Sequence, residues 1–170
     1  ASTIDGSGTV NLSPFSFFNV FSANPPIMIF SPARRGRDNT TKHTFENVLE
    51  HPEVVINVVS HAIVEQMSLS STEYEKGVNE FEKSGLTQVP SEKIQPPRVK
   101  ESPVSFECKV QEVKQLGDQG GAGNLVICEV VLIHLSDDIL TDGKIDPNKI
   151  DLVGRMGGNW YSRASGNDIF

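Results

Sequence analysis

Residues 11–19, Asn-Leu-Ser-Pro-Phe-Ser-Phe-Phe-Asn, crowd hydroxyls and amides against three phenylalanines around a single proline. Short polar side chains and backbone groups can meet the hydrogen-bonding edge of a flat aromatic heterocycle, while phenyl rings cover its faces. The alternative is a proline-marked edge strand whose phenylalanines belong to the core. Further along, Arg34, Arg35, Arg37 and Lys42 form the one dense basic cluster, just ahead of a helix expected over about residues 42–50. Helix N-termini leave N–H groups unpaired and carry positive potential. No Ser/Thr-x-x-Glu box closes this end, because Thr41 is followed three positions on by Thr44. Free N–H groups, the hydroxyls of Thr41 and Thr44, and the charge of Lys42 and the arginines would suit a phosphate. An ordinary solvated basic loop is the competing account.

Other constellations carry less. Gly117, Gly120, Gly121 and Gly123 are followed by a strand-like run, whereas a dinucleotide fingerprint needs a helix there, so they read as a hairpin turn. His43, His51, His61 and His134 form neither HxH nor HExxH, and Cys108 and Cys128 form no CxxC pair. The two cysteines sit in strand-like runs and read as buried thiols of a cytoplasmic protein. Glu80 with Glu82, and Asp137 with Asp138, read as solvated charge. There is no GxSxG elbow and no P-loop.

The elements that must position these residues are mostly strands. Residues 10–30 are β-rich, through Asn11-Leu-Ser-Pro14, then 17–21, then 27–30, with Asn24-Pro25-Pro26 as a turn. In the helix that follows, Phe45, Val48 and Leu49 supply an i, i+3, i+4 apolar face, and His51-Pro52 ends it. Residues 54–59 are a β-branched run expected to be buried on both faces. A second helix is expected over 62–67, then short helical turns within a long excursion over 68–100. Two long strands, 104–116 and 125–135, flank the glycine turn, and the tail from Asp146 carries a short helix or turn before Arg155-Met-Gly-Gly-Asn-Trp-Tyr161. Strands outnumber helices without alternating with them. The expected fold is therefore mainly β, a closed or split antiparallel barrel with a few peripheral helices.

The chain of 170 residues fits one domain spanning residues 1–170. It opens on Ala1 at what reads as a strand running into a turn, so native N-terminal sequence is expected before it. The longest apolar stretches, 27–30 and 125–135, fall short of the roughly 20 residues of a spanning helix, and no membrane association is expected. A net charge of −7 argues against nucleic acid but leaves room for a small anion at a local basic cluster.

In order along the chain, Asn11-Leu-Ser-Pro-Phe-Ser-Phe-Phe-Asn-Val20 and Asn24-Pro-Pro-Ile-Met-Ile-Phe-Ser31 resemble the opening of the flavin reductase-like FMN-binding split-barrel family. Lys42-His43-Thr44-Phe-Glu-Asn47 is similar to its Lys-Asp-Thr-x-x-Asn phosphate element, with His43 in place of Asp. The likeness continues through residues 54–58, 77–81, 85–87, 97–99 and 106–108 to Arg155-Met-Gly-Gly158 and Tyr161, so it covers nearly the whole chain. It implies a Greek-key-like split barrel and a homodimer with FMN at or near the subunit interface. Asn11, Ser13, Phe15, Ser16, Phe17 and Phe18 would line the isoalloxazine. Ser31, Lys42 and Thr44 would hold the phosphate, with Arg34 or Arg37 helping. Trp160 and Tyr161 would cap the flavin or nicotinamide pocket, or serve the structure. The implied activity is hydride transfer from NAD(P)H to FMN with no catalytic acid, base or metal, in one form supplying reduced flavin to a monooxygenase. A flavoredoxin-like electron carrier without NAD(P)H activity is the alternative, and a split-barrel protein for heme or another ligand is a third.

Overall fold

Apolar and β-branched side chains alternating with period 2 set the two longest strands of the computed structural model, which describes residues 1–166. In chain order the strands are β1 (Ser2–Ile4), β2 (Val10–Leu12), β3 (Phe18–Ala23), β4 (Pro26–Phe30) and β5 (Glu53–Asn57), with helix α1 (His43–Glu50) before β5. Helices α2 (Val64–Ser70) and α3 (Glu80–Ser84) and the short hairpin β6 (Gln88–Val89) and β7 (Arg98–Val99) fill the excursion. Then come β8 (Val104–Gln115), β9 (Asn124–Leu135), β10 (Leu140–Thr141), β11 (Lys144–Ile145), α4 (Pro147–Ile150), β12 (Leu152–Gly157) and β13 (Trp160–Ala164).

Seven strands form one sheet in the order β2-β1-β5-β8-β9-β4-β3, antiparallel throughout. Its edges, β2 and β3, are consecutive in sequence. Laid flat, seven strands would hold their edges roughly 29 Å apart. The six steps from Leu12 to Phe18 reach at most about 22 Å. The sheet must therefore curl, and the core shows the result. Met28 and Phe30 of β4 meet Val54 and Ile56 of β5, although β8 and β9 lie between those strands in the sheet. Cys108, Val126, Cys128 and Val48 of α1 complete this cluster. Both cysteines are fully buried, and burial pushes the Cys128 thiol up to about 12 and the Cys108 thiol higher still. They are inert packing groups.

Helix α1 departs from its expected face. Phe45 and Val48 are buried, but Leu49 is 58% exposed, and the polar Thr44 and Asn47 are buried with them. The helix lies against β1 and β2, where two polar pairs fix it: Asn11 Nδ2 donates to Thr44 Oγ1 at 2.9 Å, and Asn47 Nδ2 to Thr3 Oγ1 at 3.0 Å. Strand β5 is buried on both faces through Val54, Val55 and Ile56.

Two further differences have local causes. The second helix is preceded by a 3₁₀ turn over His61–Ile63 and runs on to Ser70. The short helix expected from Asp146 is α4, and beyond it, where no element was expected, β12 pairs with β13 in a hairpin. Its residues are mostly exposed, so no buried alternation marks it in the sequence, and ladder hydrogen bonds carry it instead. Among the described residues no helix is long and apolar enough to cross a membrane.

Candidate functional site

Residues 13–17 bridge the two sheet edges, and the curl beneath them leaves a cleft of about 990 Å³. Backbone bonds hold the bridge at both ends. Ser13 N–H donates to the Ala1 carbonyl at 3.0 Å, and Ser31 N–H donates to the Phe17 carbonyl at 2.9 Å. On the strand leading into it, the buried Glu80 carboxylate accepts the Leu12 N–H at 2.9 Å. Burial raises the Glu80 carboxyl, with the Leu12 amide opposing.

Phe15 packs on Phe30 with ring centroids 5.4 Å apart and a tilt of 55°, so one face of the Phe15 ring is spoken for by the core. Above the Phe15 ring sits Lys42, its Nζ 5.7 Å from the centroid. Lys42 is the N-cap of α1, in extended conformation, and no side chain caps the helix. Burial first, and the neighbouring Arg35 second, lower the Lys42 ammonium from its ordinary value. The aromatic segment and the cationic helix start, 27 positions apart between Phe15 and Lys42 in the sequence, thus share one cleft wall.

Ser13, Phe15, Ser16, Phe17, Phe18 and Lys42 line the cleft; Asn11, Ser31, Arg34 and Thr44 do not. Asn11 and Thr44 face each other behind it as the buried pair already described. Ser31 Oγ accepts the Asn124 N–H at 3.1 Å and faces Gly123, where an added Cβ would come within 2.8 Å of that oxygen. Arg34 is held by Asn39, with Nε donating to Oδ1 at 2.7 Å and Nη2 to the carbonyl at 2.6 Å. Arg37 pairs with Asp38 at 3.1 Å and Glu73 at 2.8 Å, and Arg35 bonds Thr40 and the Thr41 carbonyl. Thr41 donates its hydroxyl to Glu46 at 2.6 Å. The loop arginines fix their own loop, which docks on the glycine turn: Arg34 N–H donates to the Ala122 carbonyl at 2.9 Å, and a Cβ at Gly120 would lie 3.1 Å from the Gly36 backbone. His43 lines a separate water-sized pocket with Asn11 and Asn47. Trp160 is 77% exposed and lies off the cleft, whereas Tyr161 lines it.

The sequence did not single out Asn57, Met67, Ser70 or Ser71 as cleft residues, nor give Arg155 a place in it. They come from three separate elements, and no spacing relates them. Asn57 and Arg155 lie in the family-like segments 54–58 and 155–158, which was the one cue to either.

A curled antiparallel sheet with an aromatic cleft and a cation at a helix start defines a split-barrel ligand-binding protein. The chain belongs to the flavin reductase-like family: the profile described as flavin reductase like domain matches residues 1–148. An uncharacterized protein of Aquifex aeolicus (strain VF5) is 40% identical over 166 residues, 97% of this chain and 82% of that protein. The structure of nitrilotriacetate monooxygenase component B from Bacillus cereus aligns with a TM-score of 0.89 at 27% identity, covering 98% of this chain and 82% of that one. A chain from Shewanella frigidimarina NCIMB 400, assigned as a flavin reductase with a split barrel domain, aligns at 0.83 with 34% identity, covering 97% and 80%. The likeness supports a flavin as the ligand and an oxidoreductase as the general class.

Proposed function

We propose that this protein binds FMN in the cleft and reduces it with NAD(P)H. One observation carries the reading: Lys42, without a carboxylate within ion-pair distance among the described residues, stands over the Phe15 ring at the uncapped start of α1. The donor set fits the group. Lys42 and the unpaired first N–H groups of α1 can take a phosphate dianion, and Ser13, Ser16 and the backbone between the phenylalanines can meet the polar edge of a tricyclic ring. Phe15, Phe17 and Phe18 supply the apolar cover. Asn11 and Thr44 act one layer back, fixing the helix start that carries Lys42. Arg34 and Arg37 steady the loop.

A bound flavin supplies the two-electron chemistry, taking a hydride from reduced nicotinamide. The protein's part is to stack, orient and exclude water, and no side chain is needed as acid or base. The protein acts as a homodimer, consistent with the exposed Phe17, Phe18, Val20 and Phe21 at the edge strand β3. A monooxygenase is the natural consumer of the reduced flavin.

The test compares two ligands. Lys42→Ala should weaken FMN by about 1.5–3 kcal/mol, the range for hydrogen bonds to charged groups, and leave riboflavin nearly unchanged. Equal weakening of both would refute the phosphate assignment. Anaerobic mixing of the flavin-loaded protein with NADH or NADPH should bleach the flavin absorbance. Absence of bleaching with intact flavin binding would make the protein an electron carrier instead.

A further inference from the structure

The chain carries 22 acidic against 15 basic residues, yet among the described residues no Asp or Glu lines the cleft, while two side-chain cations, Lys42 and Arg155, do. Three arginines of the flanking segments are ion-paired. Arg35 and Arg37 pair with Glu73 on the Lys42 side. On the Arg155 side, Arg163 of the same hairpin holds Asp151 through two bonds, Nε to Oδ1 at 2.7 Å and Nη2 to Oδ2 at 2.8 Å. Arg155 has no carboxylate partner among the described residues.

Arg155 is nevertheless held in place. It lies opposite Tyr161 across the β12–β13 ladder, its guanidinium carbon 5.3 Å from the Tyr161 ring centroid. It donates to the Gly158 carbonyl and approaches the Tyr161 hydroxyl at 3.4 Å. A stacked guanidinium keeps its remaining N–H groups in a fixed fork, the geometry that grips phosphate oxygens. The hairpin is rooted in the cleft wall: Ser60 bridges Leu152, and His61 N–H donates to the Asp151 carbonyl at 2.8 Å. The cleft thus has two cation stations on independent elements, one at the start of α1 and one on the hairpin.

We infer that Arg155 is a specificity residue that takes a phosphate of a second ligand, the dinucleotide co-substrate, while Lys42 takes the phosphate of the flavin. The inference rests on the flavin reading above and extends it to the other ligand. A cleft whose described lining holds two cations without ion-pair partners and no carboxylate accommodates two anionic ligands, where a single flavin phosphate would need only one.

The test measures binding of NADP⁺ and NAD⁺ to flavin-loaded protein by calorimetry, alongside FMN affinity and the KM and kcat of flavin reduction. Arg155→Gln should weaken dinucleotide binding about tenfold or more and raise KM in parallel, with kcat and FMN affinity unchanged, since a guanidinium–phosphate bond is lost. Arg155→Lys should recover part of the loss. A loss confined to NADP⁺ assigns Arg155 to the 2′-phosphate, and an equal loss for both dinucleotides assigns it to the pyrophosphate. Arg163→Gln, on the same hairpin, should leave dinucleotide binding intact. Dinucleotide binding unchanged in Arg155→Gln, or lost equally in Arg163→Gln, overturns the inference. Wild-type protein that binds FMN but neither dinucleotide overturns it, together with reduction by NAD(P)H, while sparing the FMN assignment. Arg155-dependent dinucleotide binding without FMN binding would do the reverse.

Discussion

Asn11 and Thr44 are 33 positions apart, and each is buried with the other as its side-chain partner, at 2.9 Å. Removing one partner leaves the other desolvated, which costs more than the bond itself contributes. Thr44→Val, which keeps the shape, should therefore destabilise the fold by about 1–3 kcal/mol in denaturant unfolding. Adding Asn11→Ala should cost much less than its effect in the wild type, because the orphaned amide is gone. Additive losses would show that the two side chains do not act as a pair. From α3, Glu80 plays a comparable supporting part for the same strand. Its carboxylate fixes the backbone immediately before Ser13, so a residue read as solvated charge is in fact a buried acceptor.

At the scale of elements, the segment after β6 is pinned to the outer face of β8 by one carboxylate. Glu107 is fully buried and accepts the Glu92 and Lys93 N–H groups at 2.8 and 2.7 Å, with His134 Nε2 at 2.6 Å. Burial pushes the Glu107 carboxyl up, but the Glu92 amide, His134 and the Lys93 amide together outweigh it and leave the group below its ordinary value of 4.5. The sign follows from linkage. A carboxyl with a lowered folded value contributes stability above its unfolded value and loses it as pH falls through the folded one. Hydrogen exchange at the Glu92 and Lys93 amides, corrected for intrinsic rates, should accordingly lose protection on acidification below pH 4.5. In Glu107→Gln that acid-dependent loss should vanish. The same acid dependence in both proteins would remove Glu107 from the role.

Across the whole molecule the apolar surface is unevenly spread. Phe17 is 68% and Phe21 65% exposed at the β3 edge, which also offers unpaired backbone groups to a partner. An aspartate there would have to be desolvated in any interface that covers this edge. Phe21→Asp should therefore convert the proposed dimer to monomer in sedimentation velocity at micromolar concentration. A dimer that survives the change uses another face.

Local pattern determined much of this protein. Period-2 alternation gave the β8–β9 hairpin and its glycine turn, a β-branched run gave β5, and an apolar i, i+3, i+4 set with no capping box gave α1 and its open start, though Leu49 of that set faces outward. Those signals depend only on near neighbours in the chain. The mixture of phenylalanine and hydroxyls in residues 11–19 was legible too, as was the ordered set of motifs that marks the family. Tertiary structure alone decided which of those residues meet. Curling the sheet brings Phe15 under Lys42, turns Asn11 and Thr44 inward, and spends Arg34 and Arg37 on Asn39, Asp38 and Glu73. It also selects, among the described residues of an acidic chain, a cleft wall without carboxylates, with Arg155 delivered by a hairpin that buries too little to announce itself. Such pairings depend on register and curvature accumulated over many strands, and no window of sequence contains them.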